Sequence, residues 1–546
     1  MGIKSWKGVF FMRQLSIIAC FLILVTITHA YPGKVIKQIK TPYSCPTGLA
    51  FDGKNLWLAD YKADKLSCID ENGNIVKEIP SPGFWPMGLA WDGKFLWNVD
   101  VKQKKIFKID PSDGTILKSI DSPSETPEGL AWDGQTLWVS DPKEKKIMKI
   151  DLSDGTDVLT LTTPANYAQG MTFDGTYLWV ADRIADEIYM IDPQSGEVII
   201  VLKAPGPYAR GLAWDGKYIW CSDYQKDSVY QLVRQDDDLY RIENTKDYRI
   251  TFTHEAKVFG KGNLQNLDVY VGIPVDQPQQ KILKIEFLPA SPPKVKDKWS
   301  QEYAQFSYRD KPSESVIRSL MTVDAKISEI SYFVFPDKCG TLADIPADIR
   351  KTYTANDSKY LIDDPYIQKT AKEIVGKETN PYWMARRVFD FVRNKLEYKM
   401  EGGWNAAPVV LQRGTGSCSE YTFSFVSLCR AAGIPARYVG SIVVRGDDKS
   451  LDDDFHRWPE VYLPNYGWIP IDPQGGDKPL ARDRAMYIGH LSNRFLITTR
   501  CGGDSEYMGW YYNSNETWKA DPQVQVNIES FGEWEPLENA KAGRGE

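Results

Sequence analysis

Three side chains in the last third of the chain have the types and the order for nucleophilic acyl chemistry: Cys418, His456 and Asp472. A cysteine attacks only as its thiolate, which needs a base nearby and a positive environment. Ser417 followed by Glu420 forms a capping box, and Gly433 then Pro435 supplies a stop, so a helix runs between them with Cys418 on its first turn. The unpaired N–H groups and partial positive charge at such an end favour thiolate and can hold an oxyanion. Cys418 shares a helical face with Phe425, Leu428, Cys429 and Ala432, so it points inward, and Cys429 reads as a packed core thiol. His456 begins the strand HRWPEVYL, which turns through Pro464 to Gly467 and returns as WIPID, ending at Asp472. Asp472 can then fix the imidazole tautomer from the neighbouring strand. Register decides it: an odd-numbered connection puts Asp472 on the face of His456, an even one on the opposite face unless a bulge at Pro459 or Pro470 intervenes.

These residues need a scaffold, and the composition describes a large one. The chain has 546 residues, 66 basic and 73 acidic, for a net charge of −7, which argues against a nucleic-acid binder. A hydrophobic content of 42% with 12% aromatics is ample for cores in roughly three domains. Eight cysteines at this length exclude a disulfide-dense scaffold. Residues 1–30 read as a secretory signal cleaved after Ala30: Lys4, Lys7 and Arg13 precede an apolar run of 14 residues, short of the ~20 that span a bilayer. The expected location is therefore secreted, periplasmic or cell-surface, with membrane attachment only through an uncleaved segment. The mature chain would keep seven cysteines, an odd number that leaves at least one thiol free.

Residues 31–240 are repetitive. PTGLAFDGKNLWLAD from Pro46 recurs from Pro86, Pro127, Ala168 and Ala209, with glycines at 48, 88, 129, 170 and 211. Each unit reads as a short strand, an Asp-Gly turn, a strand carrying Trp57, Trp97, Trp138, Trp179 or Trp220, and two further strands. Four strands per ~40 residues is the period of a β-propeller blade. The segment GKVIKQIKTP from Gly33 matches a fourth strand without a blade, and the last repeat lacks one, so the ring closes by lending that strand and has five blades. A sixth, degenerate blade after residue 235 is the alternative. Thr47, Met87, Glu128, Gln169 and Arg210, with Trp85, Tyr167 and Tyr208 nearby, should line one mouth as rim packing or as a surface for a protein or cell-envelope ligand. Asp60, Asp100, Asp141, Asp182 and Asp223 read as turn acceptors.

Residues 241–345 carry longer alternating stretches broken by proline, a small antiparallel β-sandwich in which His254 is structural. Residues 346–546 open with helices from Asp364-Pro365 to Gly376 and from Asn380-Pro381 through Val392. Strands containing Trp510, Trp518 and Trp534 are expected to close on this core before a polar tail from Glu538. The domain class is α+β.

Two resemblances follow from these motifs. The repeats, over residues 33 to about 235, resemble NHL-type and streptogramin-lyase-like propellers. Those lyases use histidine, and no histidine lies between Ala30 and Thr253 here, so a catalytic propeller is disfavoured. GTGSCSEYTFSFVSLCRAAGIPARYVG and HRWPEVYLPNYGWIPIDPQGG resemble the nucleophile helix, histidine strand and aspartate strand of the transglutaminase-like superfamily, a papain-related cysteine fold. The resemblance implies Cys418 as nucleophile, His456 as general base and acid, and Asp472 as orienter. It implies a thioester formed from an amide of a protein or peptide, released to water or to an amine, with hydrolysis favoured narrowly over cross-linking. A non-enzymatic propeller-based binding protein is the other class. The oxyanion donor stays open among Trp404, Gln412 and Tyr438. No cofactor is required; calcium at Asp447, Asp448, Asp452, Asp453 and Asp454 is conceivable, but a solvated loop is the plainer reading. His490 and Cys501 read as structural.

Overall fold

The computed structural model describes residues 31–400 and 404–538, so the signal-like segment and the last residues of the polar tail lie outside the described residues. Why the repeat folds as it does is visible in one hydrogen bond per blade. Asp52, Asp92, Asp133, Asp174 and Asp215 each accept the indole N–H of the tryptophan five residues on, at 2.7–3.0 Å, while a second oxygen caps the turn backbone. The aspartate ties each turn to the tryptophan wedged in its blade.

Five four-stranded antiparallel sheets result, and their inner strands, Pro46–Phe51, Pro86–Trp91, Gly129–Trp132, Ala168–Phe173 and Ala209–Trp214, neighbour one another around a closed ring. The glycines in these strands are required by close approach: a Cβ on Gly129 would sit 1.9 Å from the Gln169 carbonyl oxygen, and one on Gly170 1.6 Å from that of Arg210. Val35–Lys40 pairs antiparallel with Ser228–Val233 and completes the fifth blade. Tyr240–Lys261 enters the next domain, so no sixth blade forms.

The second domain is a sandwich. One sheet holds Gln280–Leu288, Val316–Tyr332, Tyr240–Lys261, Gln523–Pro536 and Ser450–Asp452; the other holds Lys294–Lys296, Glu302–Pro312, Asn263–Gly272 and Ser514–Ala520. The expectation that the C-terminal strands close on the helical core is corrected here. Both pair within the sandwich, Trp534 is buried in the sandwich core, and Trp518 is exposed. Only Trp510 packs on the helical domain. Pairing across some 260 residues of sequence leaves no local signal.

The third domain has helices α1 (Pro365–Val375), α2 (Pro381–Lys395) and α3 (Cys418–Ala431) against a sheet of β1 (Ala436–Val443), β2 (His456–Leu463), β3 (Gly467–Pro470) and β4 (Phe495–Cys501), in order β3-β2-β1-β4. Asp364 and Asn380 cap α1 and α2 through the N–H groups of Tyr366 and Tyr382. The propeller is not a separate bead. Tyr177, Trp179, Ile188 and Leu232 of its fourth and fifth blades belong to the same buried cluster as Val388, Phe425 and Val461. Arg386 of α2, 3% exposed, reaches Glu197 at 2.5 Å and the Val198 carbonyl at 2.9 Å. A short helix α4 (Ala481–Ala485) rests on the fourth blade, where Arg482 pairs with Glu187 and Arg484 with Glu197.

Candidate active site

Cys418 is the first residue of α3, and the helix end is built as the sequence indicates. The Glu420 carboxylate accepts the Ser417 N–H at 3.0 Å and, through its other oxygen, the Asn405 N–H at 3.0 Å and Arg413 at 2.9 Å. The Cys418 N–H opens the helix without an intrahelical acceptor.

The strand pair settles the register question. Glu460 opposes Pro470 and Leu463 opposes Gly467, leaving the three residues 464–466 as the connection. That number is odd. Carried on, the register sets Asp472 opposite Trp458 on the face of His456, one diagonal step away, with no bulge needed. The His456 Nε2 to Asp472 Oδ2 distance is 2.8 Å. The other carboxylate oxygen accepts the N–H groups of Gln474 and Gly475 at 3.0 Å, and the Asp472 N–H is held by the Tyr487 carbonyl at 2.9 Å. With Nε2 engaged, Nδ1 is the nitrogen left for the sulfur. Trp458 and Phe495 flank the imidazole at ring-centroid distances of 5.6 Å and fix its plane.

Cys418, His456 and Asp472 line one cleft of about 670 Å³. Burial alone would raise the Cys418 thiol, but the hydrogen bond and positive charge of His456, the Arg457 N–H and the Arg457 charge hold it below its ordinary value. Burial alone would lower His456, yet the Asp472 charge and hydrogen bond, and then the sulfur, raise it well above the ordinary histidine range. Both shifts run in the direction that favours a thiolate beside an imidazolium. The contrast with Cys429 is direct: fully buried on the same helix, its thiol is pushed up by desolvation alone.

Of the three candidate oxyanion donors, Trp404 lines the cleft, Gln412 lies on the outer face of the helix Ala407–Arg413, away from it, and Tyr438 is buried behind it. The added neighbour is Tyr512, which lines the cleft with Cys418 and whose own ionisation is pushed up by burial and then by the Cys418 charge, so it stays a donor. Only tertiary structure brings it there. Arg457 is the other surprise: fully buried, it donates to the Trp510 carbonyl and stands over the rings of Tyr512, Tyr438, Trp404 and Phe423 at 4.2–5.1 Å, with no carboxylate partner among the described residues. Its signal was a basic residue in a strand of otherwise buried residues. Arg457→Met should move the acid limb of Cys418 alkylation up by about one pH unit, with Arg457→Lys holding it, as measured by iodoacetamide rates between pH 4 and 9.

The remaining candidates are structural. His254 is enclosed by Ser514 and Ser530, and His490 bonds Ser331 at 2.9 Å. Asp447 pairs with Arg494 and Asp452 with Arg445, while Asp453 and Asp454 line the cleft. Asp448 makes no contact that bears on the site. The propeller aspartates accept turn N–H groups, as Asp60 does from Lys62 and Ala63. At the propeller mouth Glu128 links Gln169 and Arg210, and Arg210 approaches Met87, so the centre is closed by its own side chains; Thr47 is tied to the Pro86 carbonyl.

This geometry agrees with the comparison by sequence. Residues 368–473, spanning α1 to the end of the aspartate strand, match the family model of the transglutaminase-like superfamily. The segment is a transglutaminase-like domain. An uncharacterised protein of Haemophilus influenzae is 25% identical over 259 residues, 41% of this chain and 68% of its own length. Among solved structures, a candidate cysteine protease of Cytophaga hutchinsonii is 16% identical with a TM-score of 0.39, covering 54% of this chain and 93% of that one. An inactive variant of virginiamycin B lyase from Staphylococcus aureus is 21% identical with a TM-score of 0.26, covering 35% and 67%. The transglutaminase-like domain thus contains Cys418, His456 and Asp472, while Tyr512 comes from beyond the matched residues.

Proposed function

We propose that this protein is a cysteine enzyme of the transglutaminase-like type that opens amide bonds of proteins or peptides through a thioester on Cys418, with water as the favoured acceptor. The observation that carries the reading is the Asp472-held imidazole beside a helix-end thiol in one cleft. The Cys418 thiolate adds to the carbonyl carbon, and the Cys418 N–H, with Tyr512 and Trp404 of the cleft lining, are donors for the oxygen as it becomes negative. His456 gives its proton to the departing nitrogen, the C–N bond breaks, and a thioester and a free amine result. Neutral His456 then takes a proton from water, which adds to the thioester and frees the acid and the thiolate. Arg445, Asp453, Asp454, Lys478 and Arg494 along the cleft favour a hydrated thioester, hence hydrolysis. The signal-like N-terminus fits action outside the cytoplasmic membrane, and among the described residues no helix is long and apolar enough to cross one.

A second role falls to the propeller mouth, where Phe84 and Trp85 are 67% and 48% exposed in the loop entering the second blade. Such rings fit a protein or cell-envelope ligand. The reaction is tested with a glutamine-containing peptide and a fluorescent amine. Cys418-dependent ammonia release or backbone cleavage, without label in the peptide, is expected; labelled peptide would turn the reading to cross-linking, and none of these products would leave the propeller as the working part.

A further inference from the structure

Next to the main cleft lies a smaller pocket of about 200 Å³, walled by Trp458, Pro470, Met486, Tyr487, Leu491 and Phe495. The two are contiguous: His456, Asp472, Tyr487, Ser492 and Phe495 line both. Cys418 lines only the larger one. This placement has a direction. In acyl transfer the carbonyl carbon lies against the sulfur, and the leaving nitrogen lies against the imidazole that protonates it. Space that continues past His456 and Asp472, away from Cys418, therefore lies on the amine side of the scissile bond.

Its chemistry differs from that of the main cleft. No lysine or arginine lines the pocket; its carboxylate and one imidazole nitrogen are engaged, while the buried Trp458 indole N–H has no hydrogen-bond partner among the described residues. Asp472 is committed to His456 and two backbone N–H groups, and His490 Nδ1 to Ser331. Burial lowers His490 to about 4, so the ring is neutral at physiological pH. A charged side chain here would be desolvated with no free opposite charge to pair with, whereas an apolar one gains from leaving water.

We propose that this pocket is a subsite for an apolar side chain carried by the amine component, the residue after the scissile bond in hydrolysis or the acceptor amine in transfer. The proposal rests on the acyl-transfer reading above. It makes the substrate class a peptide cleaved before a leucine- or phenylalanine-sized residue.

By microscopic reversibility, the amine that attacks the thioester occupies the place of the amine that leaves. The full chain is acetylated with p-nitrophenyl acetate, the Cys418-dependent p-nitrophenolate burst is counted, and acetyl transfer is timed with 2-phenylethylamine, ethanolamine or β-alanine. About tenfold faster transfer to 2-phenylethylamine than to ethanolamine is expected, with β-alanine slowest. Met486→Trp, which fills the pocket, should bring the first ratio close to one. Met486→Ala, which widens it, should shift preference to 2-(2-naphthyl)ethylamine, so the test survives if the tryptophan variant does not fold. A normal burst followed by equal rates for the three amines overturns the subsite alone. A missing burst overturns the acyl-transfer reading on which it stands.

Discussion

Replacing His456 by glutamine lowers the rate of Cys418 alkylation at pH 6 by about a hundredfold or more. The sign follows from what acts on the sulfur. Burial raises the thiol, and the His456 hydrogen bond and charge are the largest influences that pull it down. Without them the thiol rises above its ordinary value, and each unit of rise removes about tenfold of the thiolate at pH 6. The more basic thiolate is the better nucleophile, which returns a little under half of that loss on a logarithmic scale. As pH rises far enough to ionise both thiols, the deficit of the variant should close and then reverse, because its thiolate is the more basic one. The raised imidazole adds a second expectation for the wild type. Turnover falls as pH rises through the His456 value, because the proton needed by the leaving amine is gone, while alkylation, which needs only thiolate, holds its plateau. Equal alkylation of wild type and variant at pH 6, measured by stopped-time labelling and mass spectrometry, would remove His456 from the account.

The second large effect is on stability. Arg386→Met should cost about 3 kcal/mol, measured as a drop in the urea midpoint. Arg386 is 3% exposed and binds both the Glu197 carboxylate and the Val198 carbonyl of the propeller. Methionine matches the aliphatic stem but leaves Glu197 with Arg484 as its remaining arginine partner and Val198 without this donor. The blades and α2 share one buried cluster, so propeller and transglutaminase-like domain should lose structure in a single transition. Two separate transitions, or a midpoint unchanged within error, would show that the propeller is merely tethered.

What could be read in advance was what local chemistry encodes. The Asp-Gly turn, the tryptophan five residues later and the central glycine carry a blade within fifteen residues, so blade number and closure by Val35–Lys40 were legible. Caps did the same for α1, α2 and α3. The pairing of His456 with Asp472 turned on the parity of one connection, which the chain could state only as a condition until Leu463 and Gly467 were seen to be opposed. Contacts made across the fold were hidden. Tyr512 enters the cleft from a segment nearly a hundred residues downstream of Cys418, the aromatic cage of Arg457 draws on Trp404, Phe423, Tyr438 and Tyr512, and the C-terminal strands return to the sandwich. Each is fixed by packing between segments whose sequences carry no mark of one another.

The central claim is that Cys418, alone among the seven cysteines after Ala30, has its thiolate favoured by its helix end and its imidazole. Competitive labelling of the folded full chain with limiting iodoacetamide at pH 6, read cysteine by cysteine by mass spectrometry, tests it most directly. Cys418 should take most of the label, ahead of the partly exposed Cys45 and far ahead of Cys429 and Cys501. A Cys418 that reacts no faster than Cys45 would contradict the account.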